Sequence, residues 1–164
     1  MVNPELAERA ITDAEEWLRS AEKLKEIDAA PKVLHSLEMA AELSLKGFLL
    51  YHWIDYPKTH NILPLVIRLI SSGSFPDDNI RNHKDMIYSV FHALLDLRSA
   101  SGYSYESSYR KDFLIEKANG YMDQVSIILD LVRKHIKRWY KLSLILYSGK
   151  DQTEYFTDSL GTDP

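Results

Sequence analysis

The side chains able to do chemistry near neutral pH fall in a few short stretches. Arg98, Tyr103, Tyr105, Tyr109, Arg110 and Lys111 make one aromatic and basic segment. Tyrosine rings stack on bases and arginine pairs with phosphate, so such a segment suits a nucleotide or RNA. The plainer reading, preferred here, is that these residues pin a loop to its bundle or line a dimer interface, where Tyr and Arg are enriched. Lys58 and His60 share a corner after Pro57. At a helix start they would meet an anion. The plainer reading has Thr59 capping that helix and His60 held by an orienting hydrogen bond.

Two further pairs have ligand spacing: His35 with Glu38, and His92 with Asp96. A two-metal carboxylate bundle needs Glu-x-x-His from each of two helices. Here the order is reversed and occurs once, with no third or fourth ligand to be identified, so neither a metal nor another cofactor is expected. There is no cysteine, hence no disulfide and no thiolate site. Glycine-rich phosphate loops and Gly-x-Ser-x-Gly are missing as well.

These residues must be positioned by helices, because glycine and proline punctuate segments of helical period. The first begins at Asn3-Pro4, with Ala7, Ala10, Ala14, Trp17, Ala21 and Leu24 as its apolar stripe. The second starts at Ala29-Ala30-Pro31 and carries Leu34, Leu37, Ala41, Leu45 and Phe48. It is expected to end near Tyr56, since a residue before proline is pushed away from helical geometry. A short third helix follows to about Ser71, capped by Thr59 or Asn61, with Pro64 in its first turn. The fourth starts near Asp77 and carries Ile80, His83, Ile87, Val90, Leu94 and Leu97. Residues 99 to 110 read as a loop. The fifth is the longest, about 50 Å from Leu114 to Leu146. The expected fold class is all-α: an antiparallel up-and-down bundle of about five helices over residues 1–149, with a polar C-terminal tail over 150–164.

The net charge is −4 and the pI about 5.9. A protein that clamps nucleic acid through phosphates usually has a basic surplus. Net charge leaves a local basic patch open. The N-terminus lacks a signal-peptide layout and no apolar run is long enough to span a bilayer, so a cytoplasmic location without membrane contact is expected.

The run Glu38-Met39-Ala40-Ala41-Glu42-Leu43-Ser44-Leu45-Lys46-Gly47-Phe48-Leu49-Leu50, followed by Ile54-Asp55-Tyr56-Pro57-Lys58-Thr59-His60-Asn61-Ile62, resembles the second-helix signature of HEPN domains. Arg98-Ser99-Ala100-Ser101-Gly102-Tyr103-Ser104-Tyr105-Glu106 is similar to the loop that small stand-alone members carry after the fourth helix. The resemblance covers roughly residues 4 to 140. It implies a helical bundle that is commonly dimeric and often encoded beside a minimal nucleotidyltransferase as a toxin–antitoxin pair. It also implies that ribonuclease members use Arg, four to six residues, then His, in copies paired across a dimer. Arg98 fits that pattern, and Tyr103 stands where the histidine would be accepted. With a pKa of about 10 against 6.5, tyrosine is a poor substitute for moving protons at neutral pH.

The leading expectation is therefore a non-catalytic, homodimeric HEPN module that binds a nucleotidyltransferase partner, a nucleotide or RNA. An alternative is a metal-independent endoribonuclease using Arg98, with Tyr103 or His92 as proton carrier. A third is a structural bundle whose long last helix docks another protein.

Overall fold

The computed structural model describes residues 4–98 and 109–150. Among them six helices occur and no strand: α1 (Pro4–Lys25), α2 (Ala30–Tyr51), α3 (Leu63–Ile70), α4 (Asp78–Asn82), α5 (Lys84–Asp96) and α6 (Lys111–Lys150). The expected all-α bundle is what forms. The four longer helices run up, down, up and down, and the two short ones lie in the connection from α2 to α5. Gly47 near the end of α2 meets Ala7 and Ile11 near the start of α1, so these two are antiparallel. His52 beside His135, and Ala30 across a shared cleft from Ala118, make α2 and α6 parallel. None of the described helices is long and apolar enough to cross a membrane.

α2 is the central helix. Val33, Leu34, Leu37, Ala40, Ala41, Leu45, Phe48 and Leu49 are all buried, and they cover most of its circumference. A helix that is apolar nearly all round must be enclosed, and α1, α5 and α6 enclose it. α1 contributes Ala7, Ala14 and Ala21, each wholly buried, together with Ile11. Small residues at that spacing let two helices approach closely. The closest approach is at Gly47: a Cβ there would stand 3.1 Å from the Ala7 carbonyl oxygen and 3.2 Å from Ile11 Cδ1.

Three boundaries differ from the sequence-based expectation, each for a local reason. First, α2 ends at Tyr51, five residues before Tyr56. Trp53 takes φ +61°, its N–H bonds Leu50 O, and the Ile54 N–H bonds Leu49 O. This is the reciprocal closure that ends helices through a left-handed residue, usually glycine. Asp28 (φ +54°) closes α1 in the same way.

Second, neither Thr59 nor Asn61 caps α3, which starts at Leu63 with Ile62 at its cap position and no side-chain cap. Thr59 Oγ1 instead accepts from the Asn61 N–H at 3.3 Å and tightens the corner. Third, the expected fourth helix is two. Asp77 caps α4 by accepting from the Asn79 and Ile80 N–H groups. His83 Nδ1 then donates to the Asn79 carbonyl at 2.7 Å, and that side-chain bond marks the break before α5. The loop residues Tyr103 and Tyr105, the cap Asn3 and the tail over 151–164 lie outside the described residues.

Gly47→Val would push a branched side chain against the Ala7 carbonyl oxygen of α1, which cannot retreat as the end of the Ile11 side chain can. A loss of about 1–3 kcal/mol in urea unfolding is expected, despite the better helix propensity of valine over glycine.

Candidate functional site

Glu38 and Glu42 stand one turn apart on α2, with side chains 0% and 2% exposed. An ionised carboxylate in that position requires cations and hydrogen bonds. Three other positions provide them. Arg98, just beyond α5, donates from Nη1 to Glu38 Oε1, and Nη1 is also 4.0 Å from Glu42 Oε2. Lys46, one turn further along α2, donates to Glu42 Oε1 at 2.6 Å and lies over the Tyr56 ring, 5.3 Å from its centroid. His60, on the corner between α2 and α3, has Nδ1 2.8 Å from Glu42 Oε2. Its Nε2 is 3.0 Å from Arg98 Nη2.

That last contact fixes the imidazole. A guanidinium only donates, so His60 Nε2 is the acceptor and carries the lone pair. The proton of the neutral ring then sits on Nδ1 and is donated to Glu42. A buried carboxylate thus orients a histidine whose other nitrogen faces an arginine. Glu38 Oε2 is buried and has no hydrogen-bond partner, and His35 Nδ1 is 3.7 Å from it. Burial pushes the Glu38 carboxyl above its ordinary value, Arg98 opposes the shift, and Glu42 adds to it. Glu38, Glu42 and His60 each offer a ligand atom, all within 4.8 Å of one another. Arg98 and Lys46 already supply the positive charge there, so the cluster is an ion network whose cations a divalent metal would have to displace.

A second polar group lies at the far end of α2. Asp77 Oδ2 accepts from His135 Nδ1 at 2.7 Å, and His135 Nε2 is 2.8 Å from His52 Nε2. With Nδ1–H committed to Asp77, a neutral His135 accepts at Nε2, and His52 donates to it. Phe48, Phe75 and Tyr51 pack around the pair. His135 is 1% exposed. Burial and the neighbouring His135 push the His52 imidazole down to about 4. Burial also lowers His135, against the pull of Asp77. For Asp77 itself burial works upward, but the hydrogen bonds from His135, Ile80 and Asn79 outweigh it and hold the carboxyl below its usual value.

Of the residues singled out from sequence, Arg98 and His60 come together, from segments 38 positions apart. Lys58 is exposed on the same corner as His60. Tyr109 stacks on Phe113, and Arg110 pairs with Asp112, which ties both to the first turn of α6. His92 pairs with Asp96 at 3.0 Å and stacks on Tyr88. Sequence reasoning missed Glu42 as a partner of His60, and missed His52, Asp77 and His135 as a group. The signal for Glu38 and Glu42 was present: two acids at helical spacing among the apolar residues of α2. The His52 group joins three distant segments and leaves no pattern in the chain.

The family model of the HEPN domain matches residues 7–135. No curated protein matches the chain.

Two outcomes follow from the charges. The unfolded chain protonates His52 near pH 6.5, whereas the folded protein resists until about pH 4. This contribution to stability is complete above pH 6.5 and is lost as pH falls toward 4, by about 1–3 kcal/mol. In His52→Gln that loss should shrink; Glu38, whose carboxyl is raised, works in the opposite sense in both proteins and cancels in the comparison. Arg98→Met removes the main cation from Glu38. Urea unfolding should show a deficit against wild type of about 1–3 kcal/mol at pH 7, smaller at pH 5, where the carboxyl can take a proton instead.

Proposed function

The chain belongs to the HEPN domain family, and from that premise we propose that it is a binding module that takes a phosphate of an RNA strand or nucleotide at the Arg98–His60 rim. The observation that carries this reading is the layering of the network. The acids lie beneath, with Glu38 and Glu42 at most 2% exposed, and the Arg98 guanidinium lies above, its side chain 36% exposed, with the His60 side chain 52% exposed beside it. An approaching phosphate meets the guanidinium before it meets either carboxylate. Lys58, exposed on the same corner, adds charge to the rim. Arginine's planar fork matches phosphate oxygens in a way that lysine's point charge does not. Such a local rim is compatible with a net charge of −4. Binding here needs no proton carrier at position 103.

Dimerisation and a nucleotidyltransferase partner, both implied by the family resemblance, belong to the same proposal. A second copy would bring a second rim into one assembly.

Fluorescence anisotropy with a labelled single strand, and calorimetry with adenosine diphosphate, test the reading at low salt. Arg98→Lys keeps a cation beside Glu38 and loses the fork, so it is expected to weaken binding about tenfold. Affinity should fall as salt rises. Absence of binding to strand and nucleotide alike would defeat the phosphate reading and move the search to the protein partner.

A further inference from the structure

We propose that the groove between α1 and α6 docks an amphipathic helix of another protein, one with basic residues at every seventh position along one flank. The proposal stands apart from the phosphate reading, since the groove shares no residue with the Arg98–His60 rim. α1 and α6 both pack on α2 and leave a cleft between them. Two cavities there, of about 300 and 370 Å³, share Glu15 and Arg133 and run together as one groove. Ile11 with Ile136 lines one, and Leu18 with Leu129 lines the other. Each helix thus offers two apolar residues seven apart, about 10 Å along its axis. A helix laid in the groove meets both apolar steps with residues of its own seven apart, which is the repeat of knobs packed into holes.

The charges select the partner. Glu8, Glu15 and Glu22 follow one another at the same spacing of seven on the α1 wall. Glu8 and Glu22 are exposed and make no ion pair among the described residues. Arg133 reaches Glu15 at 3.4 Å, while its closer bond goes to Asp130 at 2.9 Å. Lys134 holds Asp130 as well, at 2.6 Å, so the acid of the α6 wall is satisfied and the row on α1 is not. Arg19, the one base that α1 gives to the groove, falls between Glu15 and Glu22. A partner's cations must therefore match the row of three rather than the wall as a whole. Charged flanks of this kind set partner choice between paired helices. No stretch of this chain has Lys or Arg at three successive positions seven apart, and residues 151–164 contain neither. The match therefore comes from a different protein, not from a second copy or from the chain's own end.

The test uses the full chain and a fluorescent synthetic helix of three heptads, with leucine at the a and d positions and lysine at every e position. A twin peptide has glutamate in place of those lysines. Anisotropy should show one lysine peptide bound per chain, with the glutamate twin about tenfold weaker or more, and the difference should shrink as salt rises. Glu8→Lys with Glu22→Lys changes two exposed, unpaired acids and leaves the bundle intact; it is expected to abolish or reverse the preference between the peptides. Ser126→Trp places a large ring in the groove from an exposed position and is expected to weaken both peptides. Equal binding of the two peptides by wild type, or a preference unchanged in the double variant, overturns the proposal. So does binding that Ser126→Trp leaves intact, which puts the helix elsewhere on the surface. If wild type binds neither peptide, the groove is closed or filled by the chain's own end or a second copy, and the proposal falls. None of these outcomes touches the phosphate reading, whose test measures strand and nucleotide at the other site.

Discussion

Two carboxylates buried one turn apart on the central helix set the terms for much of this molecule. Each would cost several kcal/mol if left alone away from water. α2 is enclosed by α1, α5 and α6, so solvent cannot serve Glu38 and Glu42. Lys46 comes from the same helix, but Arg98 and His60 must be delivered by the chain that follows. The path from Tyr51 to Arg98 therefore has two fixed points: the corner has to fold back along α2 to Glu42, and α5 has to end opposite Glu38. An apolar pair at these positions would hold a bundle together as well or better. What the ions add is register, since sliding α5 by one turn along α2 would leave Glu38 without its arginine.

The other end of α2 meets the same requirement with a different chemistry. Asp77, His135 and His52 form a chain of hydrogen bonds within a wall of aromatic rings, and burial there favours the neutral imidazoles. Asp77 serves twice, capping α4 through Oδ1 and orienting His135 through Oδ2. The two networks are distinguished by access. Every cation around Glu38 and Glu42 reaches water in part, whereas His135 does not. The first is open to solvent at its rim; the second ties α2, α4 and α6 into one body.

Much of the fold was legible in the sequence because the stripes are strong. Leu34, Leu37, Ala41, Leu45 and Phe48 on α2, and Ile87, Val90 and Leu94 on α5, are buried as their spacing requires. The misplaced boundaries share a cause: a side chain or an unusual residue does what a more familiar signal was expected to do. The left-handed closure at Trp53 lacks glycine, and the His83 bond to Asn79 breaks a stripe that reads as continuous. Arg98 and His60 were each visible as candidates, but their meeting depends on how far the corner folds back. Nothing in local spacing encodes that distance. Their common link was nevertheless written into α2, as Glu42 among leucines and alanines.

The closure at Trp53 matters for this meeting. A bulky residue in the left-handed region costs about 1–2 kcal/mol, and glycine would avoid it. Had α2 continued to Tyr56, four residues, His60 included, would remain, about 14 Å of extended chain. They would have to return along 14 residues of helix to reach Glu42, about 21 Å, a gap left for the two side chains to close at full stretch. Ending at Tyr51 leaves nine residues for about 13 Å, enough for the corner to turn, be tightened by Thr59, and set His60 against both Glu42 and Arg98. The strain at one exposed tryptophan thus gives the chain the slack by which a histidine from the corner can meet an arginine beyond α5.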